Sequence, residues 1–411
     1  GDYELGSLPV TVSGGVARVA SGAIAGGTST LAQQFARFAA RHSLGEAVRF
    51  TSTTAAGVLK QENLGRIAPG ARANQEEIAE YAGFPVVRVP TVMVPLVDSL
   101  PIGVPNGTTT RVLREFKPDV VHLASPFVLG GAGAVAAKRL KFPAVALFQT
   151  DVAGYTARYH VGFLESAAWV WARNLHNMTQ MTLAPSSVTI GELEAHGIKN
   201  IRRWGRGVDS ELFRPDRRSQ KLRKKWDPTG KKKIVGFVGR LASEKGVERL
   251  TVLHGDPDIQ LVIVGDGPLR RTLGKRMPTA VFTGQLSGKK LAAAYASLDL
   301  FVHTGEFETF GQTIQEAQAS GTPTIGPRAG GPIDLIEPGY NGDLIDVDTF
   351  ERDLPASVAA ILQPGTLEQM RVNARASVAD KTWPALCDQL LGYYGEVIDG
   401  YPKKRRRPLR R

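Results

Sequence analysis

Two carboxylates eight positions apart, Glu308 and Glu316, flank a glycine turn that runs through Phe310, Gly311 and Gln312. Residues 301–303 close a strand-like apolar run, and the pattern over 312–320 predicts a helix stopped by Gly321, so Glu308 is expected in the entering loop and Glu316 inside the helix. The helix start then lies between the acids. Its free backbone N–H groups and positive dipole end favour a phosphate there, which leaves one carboxylate on either side to accept hydrogen bonds from hydroxyls. A sugar nucleotide has that layout: sugar, diphosphate, ribose. A lone pair of glutamates could equally cap a helix or face water. Here Gly321 and Pro323 lead into a second glycine turn, Gly330-Gly331, and two phosphate-compatible turns so close together suggest a cleft.

The cations such a cleft needs come from an earlier segment. The apolar run 234–238 ends in Gly239 and Arg240, with Lys245 five residues on, and ligands collect at that end of parallel strands. Two fixed cations can clamp a diphosphate and stabilise the charge that grows on it as a glycosyl bond breaks. The bland alternative is a pair of surface cations matched to Glu244 or Glu248. A further run, 262–264, ends at Gly265, which is expected to line a nucleotide-base pocket, with Asp266-Gly267 as a structural turn. The seven histidines are scattered and Cys387 stands alone, so no metal site is expected. Ser186-Ser187 lacks a nucleophile-elbow context.

Short apolar runs recur between helical patterns at 86–89, 120–123, 144–148, 234–238, 260–264, 300–303 and 324–325. Continuous rather than alternating runs read as buried parallel strands, and strands separated by helices give an α/β architecture of two facing, Rossmann-like doubly wound domains with a cleft between them. The expected division is 1–210 for an acceptor-side domain and 211–390 for a nucleotide-sugar-binding domain. A helix end at 391–402 could cross back onto the first domain, and a basic tail occupies 403–411. Residues 367–401 read as helical with Trp383, Leu386, Leu390 and Leu391 as the apolar stripe. At the start of the chain, 16–20 reads as an opening strand, Gly26-Gly27 as a turn suited to close phosphate or sugar approach, and 31–41 as a helix.

At 411 residues and 42% hydrophobic composition the chain suits a two-domain globular protein, and no stretch approaches the roughly 20 apolar residues of a membrane-spanning helix. One cysteine and no clean signal pattern point to a reducing, cytoplasmic setting. The net charge is +12, of which the last nine residues carry seven positive charges and no acid. That tail could hold an anionic membrane surface or nucleic acid, or be a solvated end. A second basic stretch, with Arg217, Arg218, Lys221, Arg223, Lys224 and Lys225, could face lipid phosphates or water.

Gly239-Arg240 with Lys245-Gly246, the Gly265-to-Pro268 turn, the Glu308-to-Glu316 segment and Gly330-Gly331 together resemble the retaining, nucleotide-sugar-dependent glycosyltransferases of family 4, which have the GT-B fold. Further stretches at 68–72, 98–105, 120–127 and 204–209 look like the actinobacterial GDP-mannose-dependent α-mannosyltransferases acting on glycolipids. The resemblance spans roughly 66–395. It implies that Arg240 and Lys245 hold the diphosphate, Glu308 lies beside the transferred sugar, Glu316 binds the ribose hydroxyls, and backbone N–H groups around Phe310, Gly311 and Gln312 meet the phosphate. It also implies a GDP-mannose donor with no metal or resident cofactor, a lipid-linked or glycan acceptor, and peripheral attachment to the inner face of a membrane, with nucleic acid not expected as a partner. The chain departs from many relatives in having Gln149-Thr150-Asp151 where they carry a histidine. Asp151 could orient the sugar or acceptor, or cap the next helix. A UDP-sugar transferase of the same fold, or a noncatalytic binding protein, are the alternatives.

Overall fold

The computed structural model describes residues 2–5, 8–13, 16–19, 24–27, 80–81, 84–93, 101–104, 106–124, 128–148 and 162–402. The chain separates into two compact units, Gly1–Arg88 and Val89–Arg411. In the first, β1 (Asp2–Leu5), β2 (Leu8–Ser13), β3 (Val16–Val19) and β4 (Ile24–Gly27) form an antiparallel meander, and β5 (Glu80–Tyr81) pairs with β6 (Phe84–Pro85). Gly26 and Gly27 are therefore not a turn: they pair with Ala17 and Val16 inside β4. Each of these strands pairs with its neighbour in sequence, so the short runs zip locally instead of opening a parallel sheet. The helix expected at 31–41 lies outside the described residues.

The run 86–89 is not a strand either. It lies between Pro85 and Pro90, each lacking a ladder donor, and Val87 is 53% exposed. The second unit opens with β7 (Thr91–Met93) antiparallel to β8 (Pro101–Gly103), then α1 (Gly107–Phe116), whose first turn is capped by the Asn106 side chain accepting from the Thr108 amide at 3.0 Å.

Two all-parallel sheets follow. The first alternates β9 (Val121–Leu123), α2 (Val128–Leu140), β10 (Ala144–Leu147), α3 (Gly162–His176), β11 (Met181–Ala184), α4 (Ser187–Ala195) and β12 (Ile201–Arg203), in the order β12-β11-β10-β9. After α5 (Gln220–Trp226) comes the second: β13 (Lys233–Val238), β14 (Ile259–Val264), α6 (Arg270–Arg276), β15 (Val281–Gly284), α7 (Gly288–Ser297), β16 (Leu300–Val302), α8 (Gln312–Ala319), β17 (Thr324–Pro327), α9 (Pro332–Leu335) and β18 (Gly342–Ile345). Its order is β15-β14-β13-β16-β17-β18, so the chain winds outward from β13, then returns beside it and winds the other way. The loops leaving β13 and β16 diverge at that switch point, where open α/β sheets hold their ligands. Buried residues sandwich the sheet, with Phe301, Tyr295 and Val262 on one side and Phe237, Ile263 and Phe350 on the other.

The chain ends with α10 (Phe350–Ile361), α11 (Thr366–Ala376) and α12 (Trp383–Gly400). The single helix expected over 367–401 is thus interrupted at 377–382, where Thr382 bridges to Val208. Beyond that break α12 returns to the first sheet. Its Leu390, Tyr393, Tyr394 and Val397 pack on Val145, Leu147, Met181 and Leu183, and the Tyr394 hydroxyl lies 2.8 Å from His122 Nδ1. Trp383 and Leu391 are not part of that face, being 44% and 62% exposed. No helix among the described residues is long and apolar enough to cross a membrane.

Candidate active site

The site grows from the two loops at the switch point. After β13, Gly239 to Ala242 lead into a tight turn over Ser243–Lys245, and buried Leu241 fixes that loop by donating to the Asp266 carbonyl at 2.9 Å. After β16, His303 and Thr304 lead towards Glu308. Three bonds stitch the loops together: Thr304 Oγ1 donates to the Lys245 carbonyl (2.6 Å), Arg249 Nη1 to the Thr304 carbonyl (3.1 Å) and Arg249 Nη2 to Glu306 (2.8 Å). The result is a direct contact between the predicted cation and the predicted acid, Lys245 Nζ to Glu308 Oε2 at 2.9 Å.

Burial works to raise the Glu308 carboxyl, but the Lys245 ammonium, supported by the Phe310 backbone N–H, holds it below the usual carboxylate range. His303 lies fully enclosed beneath the pair. Burial pushes its imidazole down to about 4, so it is neutral near pH 7, and among the described residues its Nε2 has no hydrogen-bond partner of good geometry. The second acid behaves differently. Glu316 sits one helical turn inside α8, where burial pushes its carboxyl up to about 7. Tyr295 holds that shift back, although its own buried hydroxyl makes no hydrogen bond of normal geometry among the described residues.

Between the acids α8 begins at Gly311 with no side-chain cap on its first turn, and Gln312 Nε2 reaches back to the Gly207 carbonyl at 3.1 Å. The predicted residues fall into neighbouring compartments. Lys245, Glu308 and Phe310 come together. Glu316 and Gln312 border a cavity of about 450 Å³ that also touches Trp204, Arg206 and Asp209. Gly239, Arg240 and Gly265 border another of about 340 Å³ with Asp266 and Gln285, the place expected for a base. Arg240 is not aimed at Glu308: it pairs with Glu244 and its side chain is 66% exposed. Asp151 lies outside the described residues, and Gly26 and Gly27 belong to the other unit.

Sequence reasoning missed Arg249 and Asp334. Asp334 accepts from the Ser187 amide and hydroxyl at 2.6 and 2.7 Å. The available signal was Ser186-Ser187 ahead of a helical pattern, which reads as an N-cap. The basic stretch also resolves. Arg218 and Arg223 turn inward and share buried Asp299, at 2.7 and 2.9 Å, so they do not face lipid. No group of three or more metal-ligating side chains occurs among the described residues.

Two family models match the chain, "Glycosyltransferase Family 4" over residues 25–212 and "Glycosyl transferases group 1" over 218–377. A Corynebacterium glutamicum protein named GDP-mannose-dependent alpha-mannosyltransferase is 63% identical over 332 residues, covering 81% of this chain and 80% of its own. A protein of the same name from Mycolicibacterium smegmatis is 54% identical, covering 77% and 84%. Among solved structures, Anabaena HepE in complex with UDP superimposes with a TM-score of 0.61 at 19% identity, covering 71% of this chain and 81% of its own, a likeness of fold. The chain belongs to the family 4 glycosyltransferases with the GT-B fold, alongside the actinobacterial proteins named GDP-mannose-dependent alpha-mannosyltransferase.

Proposed function

We propose that this enzyme transfers mannose from GDP-mannose, with retention of anomeric configuration, to a lipid-linked acceptor at the cytoplasmic face of a membrane. The observation that carries the reading is the Lys245–Glu308 pair beside the uncapped first turn of α8, with Glu316 one turn further on. Glu308 lies beside the transferred sugar, the α8 amides and Lys245 meet the diphosphate, and Glu316 takes the ribose hydroxyls. Arg240 joins the diphosphate by exchanging Glu244 for phosphate oxygens. As the bond from the anomeric carbon to the phosphate oxygen breaks, the acceptor hydroxyl oxygen bonds to that carbon from the same face, and its proton passes to the departing phosphate. Electrostatic stabilisation of that leaving group is then the main catalytic contribution. The names of the relatives support the donor. Exposed Lys221, Lys224 and Lys225, with the polybasic C-terminal sequence, support an anionic surface as the place of work.

The test is a donor panel with the purified full chain and a membrane-lipid extract as acceptor, scoring release of GDP against UDP and the anomer formed. GDP release with an α-linked mannolipid is the expected result. UDP release alone would overturn the donor, and a β-linked product the stereochemistry.

A further inference from the structure

Asp334 ties the two parallel sheets together at the edge of the candidate site. It lies on α9, one turn past Gly330-Gly331. Its carboxylate accepts from the Ser187 amide (2.6 Å) and hydroxyl (2.7 Å) and pairs with Arg203 Nη1 (3.3 Å), while its own side chain is only 10% exposed. Ser187 opens α4 and Arg203 ends β12, so both partners belong to the elements of the first sheet's layer, while Asp334 lies on α9 beside the second. A carboxylate on the first turn of a helix also meets the positive end of its dipole.

At its other end the same segment is locked to the site. The Gly331 amide donates to the Glu308 carbonyl at 2.6 Å, and a side chain at Gly330 or Gly331 would collide with the carbonyls of Glu308 or Phe310. The Gln318 side chain on α8 grips the Leu335 carbonyl at 2.7 Å, so α9 cannot shift without dragging α8. Contacts therefore run without a gap from Ser187, through Asp334 and Gly331, to the backbone that carries Glu308 and the first amides of α8.

We propose that Asp334 is a positioning residue for glycosyl transfer: docked on Ser187 and Arg203, it sets the Glu308 loop in register with the first sheet, so that the acceptor meets the donor on the face the phosphate leaves. The inference rests on the reading of Glu308 as the sugar-side residue. Asp334 touches no substrate in this scheme; its loss acts through the Glu308 loop and the first amides of α8, while Lys245 and Arg240, on the β13 loop, keep their hold on the diphosphate.

The test is Asp334→Asn in the full chain, which keeps size and removes charge, with Ser187→Ala as a milder variant should the first not fold. Amide hydrogen exchange over residues 187–189 and 308–312, without substrate, is expected to rise by about fivefold or more in Asp334→Asn, as in local opening. With GDP-mannose and acceptor, kcat is expected to fall about tenfold, the scale of a small misplacement of reacting groups, while the Kd for GDP rises by less, about threefold at most. Ser187→Ala is expected to move exchange and kcat the same way by about threefold, the scale of one lost hydrogen bond. Unchanged exchange at 308–312 in both variants overturns the proposal. So does an unchanged kcat accompanied by weaker GDP binding. If the wild type transfers nothing from GDP-mannose, it is the assigned function that fails, and the exchange result alone decides the role of Asp334.

Discussion

Lys245 and Glu308, 63 positions apart in sequence, meet at 2.9 Å through loops that leave adjacent parallel strands. In the proposed reaction the diphosphate competes with Glu308 for the Lys245 ammonium, and Glu308 faces the sugar. Two substitutions separate the roles. Glu308→Gln is expected to cut kcat by about 10²–10³, the range seen on removing one preorganised electrostatic contact, with a small change in GDP affinity. Lys245→Met should weaken GDP binding and turnover together. It also leaves a largely enclosed carboxylate without its cation, at about 1–2 kcal/mol of stability after allowance for partial solvent access. Steady-state kinetics, GDP calorimetry and urea unfolding check the three numbers, and a Glu308→Gln enzyme of wild-type kcat would remove Glu308 from the chemistry.

Glu316 gives the site a pH dependence of definite sign. Its folded carboxyl is pushed up to about 7, above its value in an unfolded chain, so the fold favours the protonated form. Ionising it weakens the empty protein progressively as pH rises from about 4.5 through 7, after which the effect levels off. Ribose hydroxyls donate to a carboxylate, so nucleotide binding should draw the proton off, and GDP affinity should climb between about pH 6 and pH 8. Glu316→Gln is the control. It should be no less stable at alkaline pH and should lose this rise, leaving only the titration of the phosphate itself. A wild type and Glu316→Gln with identical pH profiles would place the ribose elsewhere.

The site was legible in the sequence wherever its signals were local. Glu308, Gly311 and Glu316 sit on one turn and one helix, so spacing alone orders them, and Gly239-Arg240 follows a buried apolar run whose end must face the crevice. What escaped is set by long-range pairing. Ser187 and Asp334 lie 147 positions apart, and although Ser186-Ser187 marks a helix start, nothing local pairs it with Asp334. In the parallel sheets the edge strands β12, β15 and β18 were missed, and so was interior β11, Met-Thr-Leu-Ala, because each has a polar residue or glycine breaking its apolar run, whereas the edge strand β9 was read. The opposite error occurred at 86–89, where four residues of the right composition lie outside any strand and Val87 stays exposed.

The basic stretch 214–233 contains two populations that composition could not separate. Asp299 is buried and accepts from Arg218 (2.7 Å), Arg223 (2.9 and 3.1 Å) and the Ile234 amide (2.8 Å), and these contacts overcome its burial and keep the carboxyl low. Breaking a buried pair by removing one partner leaves uncompensated charge. Asp299→Ala is therefore expected to cost about 3–5 kcal/mol in urea unfolding. Replacing exposed Lys221, Lys224 and Lys225 together by alanine should change stability by less than about 0.5 kcal/mol. If the surface role is right, it should lower salt-sensitive binding to anionic vesicles. A triple variant that unfolds as readily as Asp299→Ala would merge the two populations again.

Gly331 tests close approach free of backbone strain. Its φ of −61° is ordinary for alanine, so Gly331→Ala meets no conformational penalty and should gain roughly 0.4–1 kcal/mol through the unfolded chain. Against that, the added methyl lands on the Phe310 carbonyl, and the amide bond from Gly331 to Glu308 must stretch or the loop must move. Overpacking of that kind costs about 1–3 kcal/mol, so the net sign should be destabilising. The displaced backbone carries Glu308 and the first amides of α8, so turnover should fall further than stability does. Gly392→Ala supplies the contrast, since it lies inside α12 with nothing within 4 Å of the added methyl. There the helix gains about 0.5–1 kcal/mol and kcat should stay at the wild-type value. A Gly331→Ala protein that is both more stable and fully active would mean the turn yields without moving Glu308, and the tight seat assigned to that loop would be wrong.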